Sequence, residues 1–280
     1  MKPNKFGFLV EAGLAVLAAC LFPGMTGCEN RAYREAERQN TRESYQDFLK
    51  RYPEGKKQKS AGGHIAQLQF DAAMKQNTIP ALQDFIRDCP DCVTTPTARR
   101  VLAQLAEVEA GKLSNEQIAQ TRAVIKTDLG GVTLELFPDK APETCRNFIK
   151  LARELFYDGT EFSFIVPGVL VQGGAPGGDP RGGPGYTIKG EVNDLPNDTG
   201  AAGMALRDQP DSAGSQFYIL LRRLPERDGK YTVFARVIEG IEIVEGISGQ
   251  ESSGPRGEPY PFKPLRPILI KTIEIIQAKQ

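Results

Sequence analysis

Hydrophobic and polar positions divide this chain into three stretches with different periods. Residues 12–22 form an apolar run, preceded by Lys2 and Lys5 and closed by Pro23 and Gly24. From about 31 to 110 the sequence is polar and poor in β-branched residues. Its apolar positions recur at helical spacing, with Tyr45, Phe48, Leu49 and Tyr52 on one face. After a polar connector at 111–120 the period shortens to two, so that Val132, Leu134 and Leu136 share one face and Thr133 and Glu135 the other. Gly130-Gly131 supplies the positive φ of a hairpin between that strand and a preceding one at 123–127. One amphipathic helix follows, with Pro142 in its first turn and Cys145, Phe148, Leu151, Ala152 and Leu155 on its apolar face. Cys145 is therefore a small core residue. Beyond it, short apolar strands alternate with Gly- and Pro-rich turns at 158–159, 167–168, 173–185 and 228–229, ending in a strand-like run at 268–276. Many short strands with few helices predict a barrel or a sandwich.

The helical stretch repeats. A shift of 37 residues lays Gln46-Asp47-Phe48 on Gln83-Asp84-Phe85, Pro53 on Pro90, and Ala66-Gln67-Leu68 on Ala103-Gln104-Leu105. Each unit reads as helix, Pro-containing turn, helix, and resembles a tetratricopeptide-like hairpin, although most signature residues of that repeat are absent. Such hairpins bury their apolar faces against neighbours, so a pair serves as a docking platform for a protein partner or as a spacer. The expected organisation is a leader at 1–27, the helical segment at 28–112, a linker at 113–120 and the strand-rich domain at 121–280.

The apolar run near the start is about half of the roughly 20 residues a spanning helix needs. With its lysines and small residues it is a secretion signal in outline, Glu11 being untypical. Met25-Thr26-Gly27-Cys28 resembles the bacterial lipobox, which implies that Cys28 becomes the acylated first residue of a protein anchored to a membrane of the cell envelope, facing the periplasm or the outside. Several acyl chains on Cys28 hold stably, whereas one gives marginal binding. Cys20 then leaves with the signal, and Cys89, Cys92 and Cys145 stand in an oxidising compartment. Cys89 and Cys92 lack the strand-to-helix context of a thioredoxin site; a redox pair, a structural disulfide and two unpaired thiols all remain open.

Charge narrows the function further. Lys plus Arg and Asp plus Glu number 35 each, so no basic excess exists to hold nucleic acid. A single histidine, His64, expected on a helix surface, makes a His-based zinc cluster or a Ser/His/Asp triad very hard to build. The Gly-rich loop at 173–185 has neither the GxGxxG nor the GxxxxGK[ST] spacing of a phosphate cradle.

A specific resemblance runs through the last part of the chain. Ala141-Pro-Glu-Thr-Cys-Arg-Asn-Phe148, Phe156-Tyr-Asp-Gly-Thr160, Val166-Pro-Gly168, Gln172-Gly-Gly174, Gly183-Pro-Gly-Tyr186, Gly214-Ser-Gln-Phe-Tyr218 and Asp228-Gly-Lys-Tyr-Thr-Val-Phe234 follow one another as they do in cyclophilins. The resemblance covers about 121–278. It implies a mostly β fold, a closed eight-stranded antiparallel barrel with two capping helices, preceded here by the all-α segment. It also implies peptidyl-prolyl cis-trans isomerase activity on proline-containing polypeptides, with no metal and no cofactor.

The resemblance puts a substrate groove on Leu170, Gln172, Ala205, Gln216, Phe217 and Tyr218. Gln172 would bond the substrate carbonyl, Gln216 the adjoining backbone, and Leu170 with Tyr218 would wall the proline pocket; alternation along the strand makes Phe217 a core residue instead. Typical members read Phe-His-Arg before the Pro-Gly step, and that arginine donates to the prolyl nitrogen of the rotated state. Here the position is Phe164. Tyr218 stands where the family usually has Phe, Val169 replaces a usual aromatic, Leu206 a usual Asn, Tyr231 a usual His, and Glu226 lies where an aromatic is common. Arg207 is a solvated loop charge unless it lends its guanidinium from another direction. The expectation is a weakened isomerase assisting the folding of exported proteins; the alternative is a non-catalytic proline-segment binder or envelope scaffold whose helical repeats carry the partner site.

Overall fold

The computed structural model describes residues 25–179, 181–207, 209, 211–258 and 260–278. The expected leader lies, up to residue 24, outside them. The helical segment comprises α1 (Met25–Gln39), α2 (Arg42–Arg51), α3 (Gln58–Gln76), α4 (Ile79–Asp88), α5 (Thr95–Gly111) and a short α6 (Asn115–Ala119). Its repeat is structural as well as textual, because the starts of α2 and α4, and of α3 and α5, are each 37 residues apart. The caps explain why. Thr41 and Thr78 are extended N-caps whose hydroxyls accept from Ser44 N and Ala81 N, and Asn40 and Asn77 before them take positive φ of 47° and 50°, a region Asn tolerates. Tyr52 and Cys89 end the two helices just before Pro53 and Pro90, whose rings disfavour a helical residue ahead of them.

The strands are β1 (Thr121–Thr127), β2 (Gly131–Leu136), β3 (Thr160–Val166), β4 (Leu170–Ala175), β5 (Ala201–Met204), β6 (Phe217–Leu220), β7 (Val233–Glu239) and β8 (Leu269–Gln277). They close antiparallel in the order β1-β2-β7-β5-β6-β4-β3-β8, and α7 (Pro142–Arg153) and α8 (Ile241–Ser248) complete the domain. Gly130, at φ 141°, makes the turn from β1 to β2. Alternate residues of each strand point inward, so Ile125, Leu134, Phe162, Val171, Phe217, Ile219 and Phe234 share one core with Phe148 and Ile149 of α7. Burial pushes the thiol of Cys145 up to about 12, so it is inert packing.

By compactness the chain divides into residues 1–69 and 70–280. In the first unit Tyr33, Tyr45, Phe48 and Ala61 form a core. His64 is not a bare surface residue there: its ring stacks on Tyr45 at 4.8 Å. In the second unit α4 and α5 belong with the barrel, so the expected boundary at 112 does not match this division. Ile79, Leu82, Phe85, Ala98, Leu102 and Ala106 enclose Leu155, which follows α7. Gln83 Nε2 donates to Arg153 O at 2.7 Å, and Lys150 pairs with Glu107 at 3.0 Å. A hairpin of this kind needs a neighbour for its apolar face, and α7 is that neighbour. The expected linker at 113–120 is largely α6, capped by Ser114 and Gln117, with Ile118 buried in the barrel core. Cys89 and Cys92 form a disulfide in the turn between α4 and α5. Among the described residues no helix is long and apolar enough to cross a membrane.

Candidate functional site

Strand alternation sorts the expected groove residues. Pairing of β4 with β6 sets Gln172 opposite Tyr218 and Gly173 opposite Phe217. Val171 and Phe217 therefore turn into the core, where the Phe217 ring meets Phe148 at 5.6 Å and Tyr157 at 5.9 Å. Leu170, Gln172, Gln216 and Tyr218 fall on the other face. They do not, however, share one environment.

Gln172, Ala205 and Gln216 line an open cavity of about 590 Å³, completed by Leu206 and the Gly-rich loop at 181–187. Gln172 Nε2 donates to Gln216 Oε1 at 3.0 Å, and Gln216 Nε2 donates to Gly182 O at 2.8 Å. Gln172 thus spends one amide hydrogen on its neighbour. The glycine pair after Gln172 allows this approach of strands: a Cβ on Gly174, at φ 88°, would sit 2.5 Å from Ser215 O.

A hydrogen-bonded chain braces the same wall from behind. Lys150 Nζ donates to Tyr186 Oη at 3.0 Å, Tyr186 Oη to Asn147 Oδ1 at 2.7 Å, and Asn147 Nδ2 to Gly214 O at 2.8 Å. Burial by itself would lower the Lys150 pKa, but the bonds to Tyr186 and Glu107 outweigh it and raise it. Arg207 belongs to the same bracing, since its Nη2 donates to Gly182 O at 3.1 Å and to Arg181 O. It supports the Gly-rich loop and is committed to it.

Leu170 and Tyr218 lie outside this cavity. They are 4% and 1% exposed, packed with Ala201, Leu220, Leu224 and Val233, and flanked by Phe164, Val169 and Tyr231. The Tyr218 hydroxyl, absent from a phenylalanine, donates to Asn197 Oδ1 at 2.6 Å. Asn197 is held in turn by its backbone N–H, 2.8 Å from Asp228 Oδ1, and Asp228 accepts from Arg223 Nη1 at 2.9 Å. The Arg223 guanidinium and the Asn197 N–H hold the Asp228 carboxyl well below the usual carboxylate range. Burial pushes the Tyr218 phenol up to about 12, against the opposing charge of Arg227. On the neighbouring strand stands Gly203, where any Cβ would overlap the Tyr218 hydroxyl.

Phe164 pairs across the sheet with Gln172, so the position of the usual arginine is beside the cavity's amides. Its ring meets the edge of Phe262 at 5.5 Å, and Ile165 N donates to Phe262 O at 2.9 Å. Phe164 is thus a packing residue that ties the loop before β8 to β3. Sequence reasoning missed Asn197, Gly203, Arg227, Asp228 and Phe262. Two of them left a signal: a tyrosine where phenylalanine is usual needs a hydroxyl partner, and a lone glycine inside a strand marks a close approach.

Cys28 is exposed in the first turns of α1, as a free thiol. Among the described residues no group of three or more His, Cys, Asp or Glu is placed to hold a metal ion.

The model of the family described as cyclophilin type peptidyl-prolyl cis-trans isomerase/CLD matches residues 122–275, more than half of the chain. A peptidyl-prolyl cis-trans isomerase of Helicobacter pylori is 39% identical over 145 residues, which is 50% of this chain and 88% of that protein. Peptidyl-prolyl cis-trans isomerase B of Bacillus subtilis is 44% identical over 119 residues, 42% of this chain and 82% of that one. A crystal structure of a Cryptosporidium parvum cyclophilin type isomerase superposes with a TM-score of 0.52 at 31% identity, covering 57% of this chain and 99% of that one. The same enzyme crystallised in the presence of the dipeptide Ala-Pro gives 0.51 at 30% identity over the same shares.

Proposed function

Because the chain belongs to the cyclophilin-type peptidyl-prolyl cis-trans isomerase family, we propose that it rotates X-Pro bonds of exported polypeptides at the cell envelope, more slowly than relatives that keep the arginine this chain replaces with Phe164. The reaction makes and breaks no bond. Its barrier, about 18–20 kcal/mol, is the resonance of the amide, which is lost as the bond twists. A protein lowers it by gripping the chain on both sides of the proline and by donating hydrogen bonds that strengthen in the twisted state.

The observation that carries this reading is the amide chain Gln172 to Gln216 to Gly182 along an open cavity beside Ala205. The remaining Nε2 hydrogen of Gln172 meets the carbonyl before the proline, and Gln216 holds the adjoining backbone. Leu170 and Tyr218 receive the prolyl ring. The strand opposite Gln172 offers an aromatic ring in place of a guanidinium. Loss of one donor aimed at a transition state typically costs about 2.7–4 kcal/mol, or 10²–10³ in rate, so turnover is slow but not abolished.

Envelope anchoring rests on Lys2, Lys5, the apolar run and the Met25-to-Cys28 step, with Cys28 exposed. The tetratricopeptide-like helices serve as a docking platform for a protein partner. The test is protease-free: the purified protein is added to a substrate protein whose refolding is limited by proline isomerisation. Acceleration that Gln172→Ala abolishes supports the proposal; no acceleration at stoichiometric enzyme refutes it. Cell fractionation with Cys28→Ser tests the anchor, and the variant moves to the soluble fraction if the acyl chains hold the protein.

A further inference from the structure

The surface assigned to the prolyl ring is covered. Tyr218 is 1% exposed, so in this state nothing outside the protein can pack on its face. Most of what surrounds it is fixed: Leu170 and Val233 lie on barrel strands, and Leu224 is buried. The exception is Arg227. It sits at the end of a short turn at Pro225–Arg227, is only partly buried, and places its Cζ 4.7 Å from the centre of the Tyr218 ring and 4.8 Å from that of Tyr231. The two rings meet edge to face, with centres 5.9 Å apart, and the guanidinium lies against both.

We propose that Arg227 is the gate of the proline pocket: its guanidinium occupies the aromatic faces in the free protein and must leave before a prolyl ring can pack there, so it determines which X-Pro peptides are admitted. This rests on the isomerase reading of the groove given above. A guanidinium is planar and weakly hydrated and stacks well on tyrosine, which makes it a good temporary occupant. It is also displaceable. Among the described residues Arg227 has no carboxylate partner; neighbouring Asp228 is taken by Arg223 and Asn197. Its side chain is long and stands on a turn, so it can swing to solvent without unfolding a strand. A prolyl ring therefore competes with a cation for the same faces. Peptides that bind strongly elsewhere along the cavity will displace it, whereas short proline peptides will bind weakly.

The test uses the whole protein, wild type and with Arg227→Leu or Arg227→Gln, titrated with a short Ala-Pro peptide and followed by nuclear magnetic resonance. In free wild type the Arg227 Nε–H signal is shifted upfield by the two rings, and it returns towards the ordinary arginine position as the peptide saturates. Both variants bind the peptide about tenfold more tightly, the effect expected for removing one partly desolvated cation–π occupant, while exchange at saturation changes less. An Arg227 signal that does not move on binding, or peptide affinity unchanged or weakened in both variants, overturns the gate. Exchange lost at saturation with affinity intact also overturns it and makes Arg227 a donor to the twisted amide. Failure of the isomerase reading is distinguishable, since the peptide would then bind without accelerated exchange in wild type and both variants while the Arg227 signal still reports displacement.

Discussion

The two halves of the groove lie on the same pair of strands, yet one is open and polar and the other closed and apolar. Gln172 and Gln216 face a cavity of about 590 Å³, whereas Leu170, two residues from Gln172, and Tyr218, two residues from Gln216, are sealed. The polar half is built from amides that bond to one another and to the backbone carbonyl of Gly182. The apolar half is organised around the Tyr218 hydroxyl. A tyrosine at 218 required Asn197 as acceptor, Gly203 as space and Asp228 as support. An open polar half and a sealed apolar half thus lie side by side on one face of the sheet.

The contrast can be broken most sharply in the polar half. Gln216→Leu removes the link between Gln172 and Gly182 and should lower kcat/KM by about 10²–10³, the scale of an oriented donor lost from a preorganised site; isomer-exchange kinetics measure it, and a drop under threefold would place the working groups elsewhere. A smaller effect, on stability, is expected in the apolar half. Gly203→Ala forces a Cβ into the Tyr218 hydroxyl and should cost about 1–3 kcal/mol, as other overpacked cores do. Thermal melting reads it, and an unchanged Tm would mean that the pocket is looser than its geometry. Least in size is a pH effect. Asp228 has a folded-state pKa below its unfolded one, so its contribution is present above the ordinary carboxylate pKa of about 3.9 and is lost as pH falls through and below that value. Asp228→Asn should therefore lower Tm at pH 7, with the gap to wild type closing progressively below about pH 4.

Much of the architecture was legible in the sequence because local signals agreed. Alternation at 132–136, Gly130 in the turn and the apolar face of the Pro142 helix each specify an element without help from distant residues, and the 37-residue repeat survives as matched Asn-Thr caps. What the helical repeat packs against was not legible. A repeat suggests a self-contained array, whereas the surface that α4 and α5 bury against is decided only when α7 is in place. In the groove the polar residues could be read by position, but the closure of Leu170 and Tyr218 could not. Arg227, in a turn of Pro, Glu, Arg and Asp, has the sequence character of a solvated charge, and Phe262 reaches Phe164 from a loop nearly a hundred residues away.

The central claim is that the groove is a working isomerase lacking one donor. Its most direct test is the cis-trans exchange of an Ala-Pro peptide, followed by nuclear magnetic resonance with the purified protein and with Phe164→Arg. The account predicts that wild type accelerates exchange and that the substitution raises the rate further, by at most about 10²–10³ and less by whatever the lost Phe262 contact costs. A wild type that binds the peptide without accelerating its exchange, or a Phe164→Arg protein that folds and binds yet turns over no faster, would contradict it.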